Sequence, residues 1–271
     1  MFQMLLLLLF IVPLLILLLW TFGFLVATDV SVPTRDVGQF RCVLVAFPHA
    51  DDEAITCAGL LHRLVRAGKN VTLVVLTKGE KGPNPTRDGD LKALRTQEAR
   101  SVASILGLTK LIQEDFGDGC LHEKEQELAL YLANLIEQEQ PDLLITYDLA
   151  GLYGHSDHIA CAEIVTRLQH ARFPGIALWY VTLPKCVLAR VKLPKDLTID
   201  PNFREKQATP THKIFIGRSV VPKIRAWYTY KSQRAALANG IGRFIPIWSL
   251  WFALSTVLFE YFAEEDGTIQ H

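Results

Sequence analysis

The chain has 271 residues, half of them apolar, which is enough for one sizeable core. Lys plus Arg balance Asp plus Glu at 28 each, so no global field selects nucleic acid or an acidic polymer, and any function must be local. Five cysteines, at positions 42, 57, 120, 161 and 186, include no C-x-x-C pair, which argues against a disulfide framework and suits a reducing compartment.

The first element is "LLLLLFIVPLLILLLWTFGFLVA", Leu5 to Ala27, 23 positions without a charge. At about 1.5 Å per residue it spans a ~30 Å hydrocarbon layer. A cleaved signal peptide is the competing reading, but the apolar core is too long, no Lys or Arg precedes it, and no small-x-small site ends it. Residues 1–27 are therefore expected to be a retained transmembrane anchor and 28–40 a polar linker. Arg35 and Arg41 on the far side place the main domain in the cytoplasm by the positive-inside rule.

Beyond the linker, short apolar runs alternate with longer amphipathic stretches. Strands are expected at Cys42–Phe47, Val71–Leu76, Lys110–Gln113, Leu143–Tyr147, Ala177–Thr182 and Lys213–Ile216. Helices are expected at Ala54–Ala67, Leu91–Leu106, Lys124–Gln138, His158–His170 and Pro222–Ala238. Runs such as "VLVAF" and "LLITY" are apolar throughout, as in parallel strands covered on both faces. The expected fold class is α/β, a three-layer, Rossmann-like, mostly parallel sheet over 41–240 with an N-terminal transmembrane helix. The remainder, 241–271, includes "FIPIWSLWFALSTVLF", uncharged for 16 residues. That is short for a span and suits an interfacial, re-entrant or buried helix, with contact at the membrane surface favoured.

Ligands of an open parallel sheet gather beyond the carboxyl ends of its strands. Two loops there carry dense charge. "PHADDE" places His49, Asp51, Asp52 and Glu53 after the first strand, and "GLYGHSDHIA" places His155, Asp157 and His158 after "DLLITY". Either aspartate of the first loop, or Asp157, could cap a helix. A single histidine is more often a satisfied surface or core residue. Capping does not explain His, Asp, Asp and Glu packed together, because neighbouring carboxylates repel unless a cation or protons neutralise them. His and carboxylate groups on separate loops suit a three-ligand Zn²⁺ site with one position open to water.

"PHADDE" with "GHSDH" resembles the paired H-P-D-D-E and H-x-x-H signatures of the PIG-L/LmbE-like zinc-dependent N-deacetylases. "RTQEARSVASILGL", "DFGDGCL" and "YKSQ" extend the likeness from about Arg41 to Gln233. The resemblance implies His49, Asp52 and His158 as metal ligands and Asp51 as general base. It also implies His155, oriented by Asp157, as oxyanion stabiliser and donor of a proton to the departing amine. Arg95 and Asp118 would contact sugar hydroxyls, against the bland alternatives of an i,i+3 pair with Glu98 and an Asp-Gly turn. Glu53 is expected behind the ligands rather than on the metal. One departure is Ala50 where the family has Pro, with Pro48 lying ahead of His49, which puts loop geometry in question more than metal binding.

The expected activity is removal of acetyl from an N-acetylglucosaminyl substrate, with Zn²⁺ as cofactor and Fe²⁺ or another divalent ion as alternative. The anchor suggests a lipid-linked substrate such as N-acetylglucosaminyl-phosphatidylinositol; a soluble conjugate or thiol precursor is the second reading. A non-catalytic sugar- or nucleotide-binding membrane protein is third, because the first βα turn lacks G-x-G-x-x-G and no P-loop occurs.

Overall fold

The computed structural model describes residues 2–82, 90–184, 187, 202–233 and 257–265. Seven strands form one sheet in the order β3-β2-β1-β4-β5-β7-β6. They are β1 (Cys42–Phe47), β2 (Asn70–Val75), β3 (Lys110–Gln113), β4 (Leu143–Tyr147), β5 (Ala177–Thr182), β6 (His212–Phe215) and β7 (Phe259–Glu264). Strands β3 through β5 run parallel, with Val43 beside both Val71 and Leu143, while β7 is antiparallel to β5 and β6.

Alternate residues of β1 serve two cores, as the two-residue period of a strand dictates. Val43, Val45 and Phe47 pack with α3 (Ala58–Arg66), α4 (Leu91–Leu106) and α7 (Val220–Thr229). Leu44 and Ala46 pack with α5 (Glu125–Glu139) and α6 (Ser156–Arg172). The expected three layers are present. Because β2 and β3 lie on one side of β1 and β4 on the other, the topological switch point falls between β1 and β4, so their following loops face each other.

Two differences from the sequence reading have a common cause. Expected as one helix, 54–67 is split into α2 (Asp52–Thr56) and α3, with Cys57 at φ −138° between them. The domain, expected to end at 240, also takes a strand from 259–264, placed between β5 and β6. The link is Glu260 of β7, which is buried and accepts the backbone N–H groups of Gly59 (2.9 Å) and Leu60 (2.7 Å) at the start of α3. Its charge is balanced by buried Lys223 of α7, with Nζ at 2.6 Å. Removing one partner of a buried pair strands the other charge. Lys223→Ala should therefore cost about 3–5 kcal/mol, read by denaturant unfolding of the full chain.

The first helix, α1, runs from Phe2 to Ala27 without a charged residue. Its end is tied to the sheet: Asp29 N donates to Tyr261 Oη (3.0 Å) and Lys213 Nζ donates to Asp29 O (2.6 Å). Among the described residues no helix is long and apolar enough to cross a membrane; residues 9–19 of α1 are exposed. The aromatic stretch expected to touch the membrane lies, from 244 to 256, outside the described residues, as do 234–238 of the last expected helix.

Candidate metal centre

The loop after β1 is set by its own side chains. Asp52 Oδ2 accepts the His49 N–H (2.9 Å), closing a tight turn, and Thr77 donates its N–H and hydroxyl to Pro48 O, each at 2.9 Å. Ala50 is buried in the core under this turn. Asp51 is forced to φ 126°, ψ −22°, a region costing a non-glycine residue on the order of 1–3 kcal/mol. Its N–H is accepted by Glu53 Oε2 (3.3 Å), and Glu53 Oε1 accepts the Tyr230 hydroxyl (2.7 Å). Burial pushes Glu53 up to about 7. Glu53 thus sits behind the loop, as expected.

The loop after β4 supplies the other half. His158 Nδ1 lies 3.2 Å from Gly151 O and takes the donor role there, leaving the Nε2 lone pair inward. His49 Nε2 lies 3.2 Å from Asp118 Oδ1 and 3.3 Å from Asp157 Oδ2, which makes it the N–H and frees Nδ1. The two free nitrogens, His49 Nδ1 and His158 Nε2, are 3.2 Å apart. Asp52 closes the set, with Oδ2 3.8 Å from His49 Nδ1 and Oδ1 3.5 Å from His158 Nε2.

Two lone pairs and a carboxylate aimed at one point require a cation or a proton. Without a metal, the proton goes to His49: burial opposes it, but the hydrogen bonds to Asp118 and Asp157 and the charge of Asp52 raise His49 to about 10. Burial, with the His49 charge, keeps His158 well below its ordinary value. The donor set fits a divalent ion of the zinc class, each histidine oriented by a carboxylate or a carbonyl behind it. Other donor groups also lie within 4.8 Å of one another, His49 with His155 and His158, and His49 with Asp118 and Asp157. In the second, Asp118 Oδ1 and Asp157 Oδ2 face His49 Nε2, and Asp157 Oδ2 also accepts the backbone N–H of Gly119. The bonds from Nε2 to Asp118 and Asp157 leave Nδ1 as the side of His49 open to a cation. Since a cation must displace the His49 proton, zinc binding near neutral pH should release about one proton, read by calorimetry in buffers of differing ionisation enthalpy.

Comparison with known proteins now bears on the site. Residues 44–169 match the family PIG-L, described as GlcNAc-PI de-N-acetylase. The match spans both acidic-histidine loops of the site. It is 34% identical over 178 residues to the 1D-myo-inositol 2-acetamido-2-deoxy-alpha-D-glucopyranoside deacetylase of Corynebacterium diphtheriae, covering 55% of this chain and 58% of that protein. It is 28% identical to the diacetylchitobiose deacetylase of Thermococcus kodakarensis, covering 88% of this chain and 82% of that one. In structure it resembles the N,N'-diacetylchitobiose deacetylase of Pyrococcus horikoshii at a TM-score of 0.63, covering 86% of each chain at 20% identity, a likeness that speaks for the fold. PIG-L/LmbE deacetylases are zinc-dependent.

Within the matched region, two expected roles change. Asp157 does not orient His155 with its carboxylate; that group is taken by His49, Gly119 N (2.6 Å) and Leu121 N. Only the Asp157 backbone N–H reaches His155 Nδ1, at 3.2 Å. Asp118, expected on sugar hydroxyls, has Oδ1 on His49 and Oδ2 on Lys81 N. Against the upward push of burial, the bond to His49 holds it at about 2. Both carboxylates therefore serve His49.

Arg95 is buried, with Nε unpartnered and no ion pair to a described residue, so the surface pair with Glu98 does not form. Glu98 instead accepts the N–H and hydroxyl of Ser232 (3.1 and 2.6 Å). The guanidinium lies against Gly79 and Gly82, where an added Cβ would fall 1.9 and 2.0 Å from its nitrogens. Burial lowers its proton affinity, against the opposing charges of Asp51 and Asp118.

Two tyrosines went unnoticed in the sequence. Tyr147 stacks on His158 (centroids 4.1 Å apart) and donates to Asp52 Oδ1 (2.7 Å), while Tyr153 meets His158 edge-on at 5.1 Å. Position was the available signal, since Tyr147 ends β4 at the switch point.

Proposed function

We propose that the chain is a zinc-dependent amide hydrolase that removes acetyl from an N-acetylglucosaminyl conjugate. The observation that carries this is the convergence of His49, His158 and Asp52 on one point beside the unligated Asp51. When bound, zinc supplies Lewis acidity to the amide carbonyl and to the attacking water.

Asp51 is the base. Its carboxylate makes no side-chain hydrogen bond among the described residues, and burial with the adjacent Asp52 raises its proton affinity well above the ordinary range. His155 Nδ1 accepts the Asp157 N–H, so Nε2 carries the proton, and the ring, 4.7 Å from that of His158, is an oxyanion donor beside the ligands. Burial, with the neighbouring His49 charge, lowers His155 to about 4. It therefore acts as a neutral donor, and the proton delivered to the departing amine is the one Asp51 has taken up. Arg95, flanking Asp51, is placed to bind sugar hydroxyls.

The substrate reading is an acetylglucosaminide held near a membrane, such as N-acetylglucosaminyl-phosphatidylinositol. Its support is α1, uncharged over 26 residues, which we read as an anchor with the catalytic domain on the cytoplasmic side. The relatives' names favour a second reading, an inositol or chitobiose conjugate without the lipid. The test is a panel of these acetylglucosaminides offered to the zinc-loaded full chain, scored by mass for the free amine. Preference for the inositol or chitobiose conjugate would remove the lipid from the proposal; failure on all would remove the activity.

A further inference from the structure

Between Glu205 and Glu260 the chain has no acidic residue but eight Lys and Arg, although the whole chain is neutral. Within that stretch α7 is built inside out. Its inward face buries Lys223, Ala226 and, at its C-cap, Tyr230. Its outward face exposes Val221 (61%), Ile224 (45%) and Tyr228 (57%). Spaced i, i+3 and i+7, these form one stripe, where an outward helix face is ordinarily polar. Arg218 and Arg225 are exposed beside the stripe, and Phe215, exposed at the end of β6, is separated from α7 by four residues.

The end of α1 meets the domain at the same edge. Phe24 stacks on Phe259 with centroids 6.4 Å apart, and Phe259 in turn touches Phe215 at 5.4 Å. The uncharged helix therefore ends beside the strand that leads into α7.

We infer that the outward face of α7 seats on a bilayer surface that carries anionic lipid. The apolar side chains enter the interfacial layer, and the arginines meet the headgroup phosphates. Charge selects this occupant over a second copy of the chain, since a symmetric pairing would bring Arg218 and Arg225 of the two copies together. The contact lies behind the site, because Tyr230 at the end of α7 donates to Glu53. It goes beyond the deacetylase reading and does not depend on it.

The test places a photoreactive benzophenone residue at Ile224, or separately at Val221, in the full chain. The protein is reconstituted in phosphatidylcholine vesicles with or without phosphatidylserine. After irradiation, the α7 peptide should carry the mass of a phospholipid, several-fold above a control at Leu130, which is 62% exposed on α5 across the sheet. Arg218→Ala and Arg225→Ala should each lower the yield roughly fivefold when phosphatidylserine is present. A cross-linked dimer, a link to another peptide of the same chain, or no adduct at either position would overturn the inference. A probe at Leu15 reports α1 separately, so lipid adducts there alone would reject the α7 contact and leave the anchor standing.

Discussion

Asp51→Asn should lower deacetylation by about 10²- to 10⁴-fold while zinc content stays unchanged. The amide keeps the size of the side chain and its φ of 126°, but cannot take a proton. The strained backbone makes this position informative, since Asn tolerates positive φ nearly as well as Asp. Folding and metal loading should both survive. Metal analysis and kcat on the same preparation check it; full turnover in the variant would remove Asp51 from the base role.

His158→Ala should abolish stable zinc binding and bring activity to background. It removes one of three donors, and the remaining His49 and Asp52 leave an incomplete set. His158 also packs between Tyr147, stacked on it, and Tyr153, edge-on to it, so its removal opens a gap in the packing as well. Tyr147→Phe separates the two effects, because it keeps the ring on His158 and removes only the hydrogen bond to Asp52. That variant should bind zinc about 10- to 100-fold more weakly and remain folded. An isotherm of zinc binding to each, with circular dichroism as the folding check, decides it.

Local signals made much of the fold legible. The apolar runs of β1, β3, β4 and β5 and the periodic stretch of α4 have the bounds expected from sequence, because apolar periodicity is a property of neighbouring residues. β7 escaped notice because "FEYFAE" follows a long uncharged run that reads as one hydrophobic segment. The break at Cys57 escaped because its cause, Glu260, lies about 200 residues further along.

The site divides in the same way. Donor residues clustered in two loops were readable, and the structure brings His49, Asp51, Asp52, His155 and His158 together. What sequence did not reveal is which partner each charge serves. Asp157 and Asp118 turn to His49, and Glu53 turns to Tyr230, 177 positions away. Carboxylate partners are chosen by tertiary distance, and a single sequence carries no measure of it.

The most direct test of the account is to titrate zinc into the metal-free full chain and follow acetate release from an acetylglucosaminide by mass. The account predicts no turnover without metal and a linear rise that levels off at about one zinc per chain. Undiminished acetate release from the metal-free protein would contradict it.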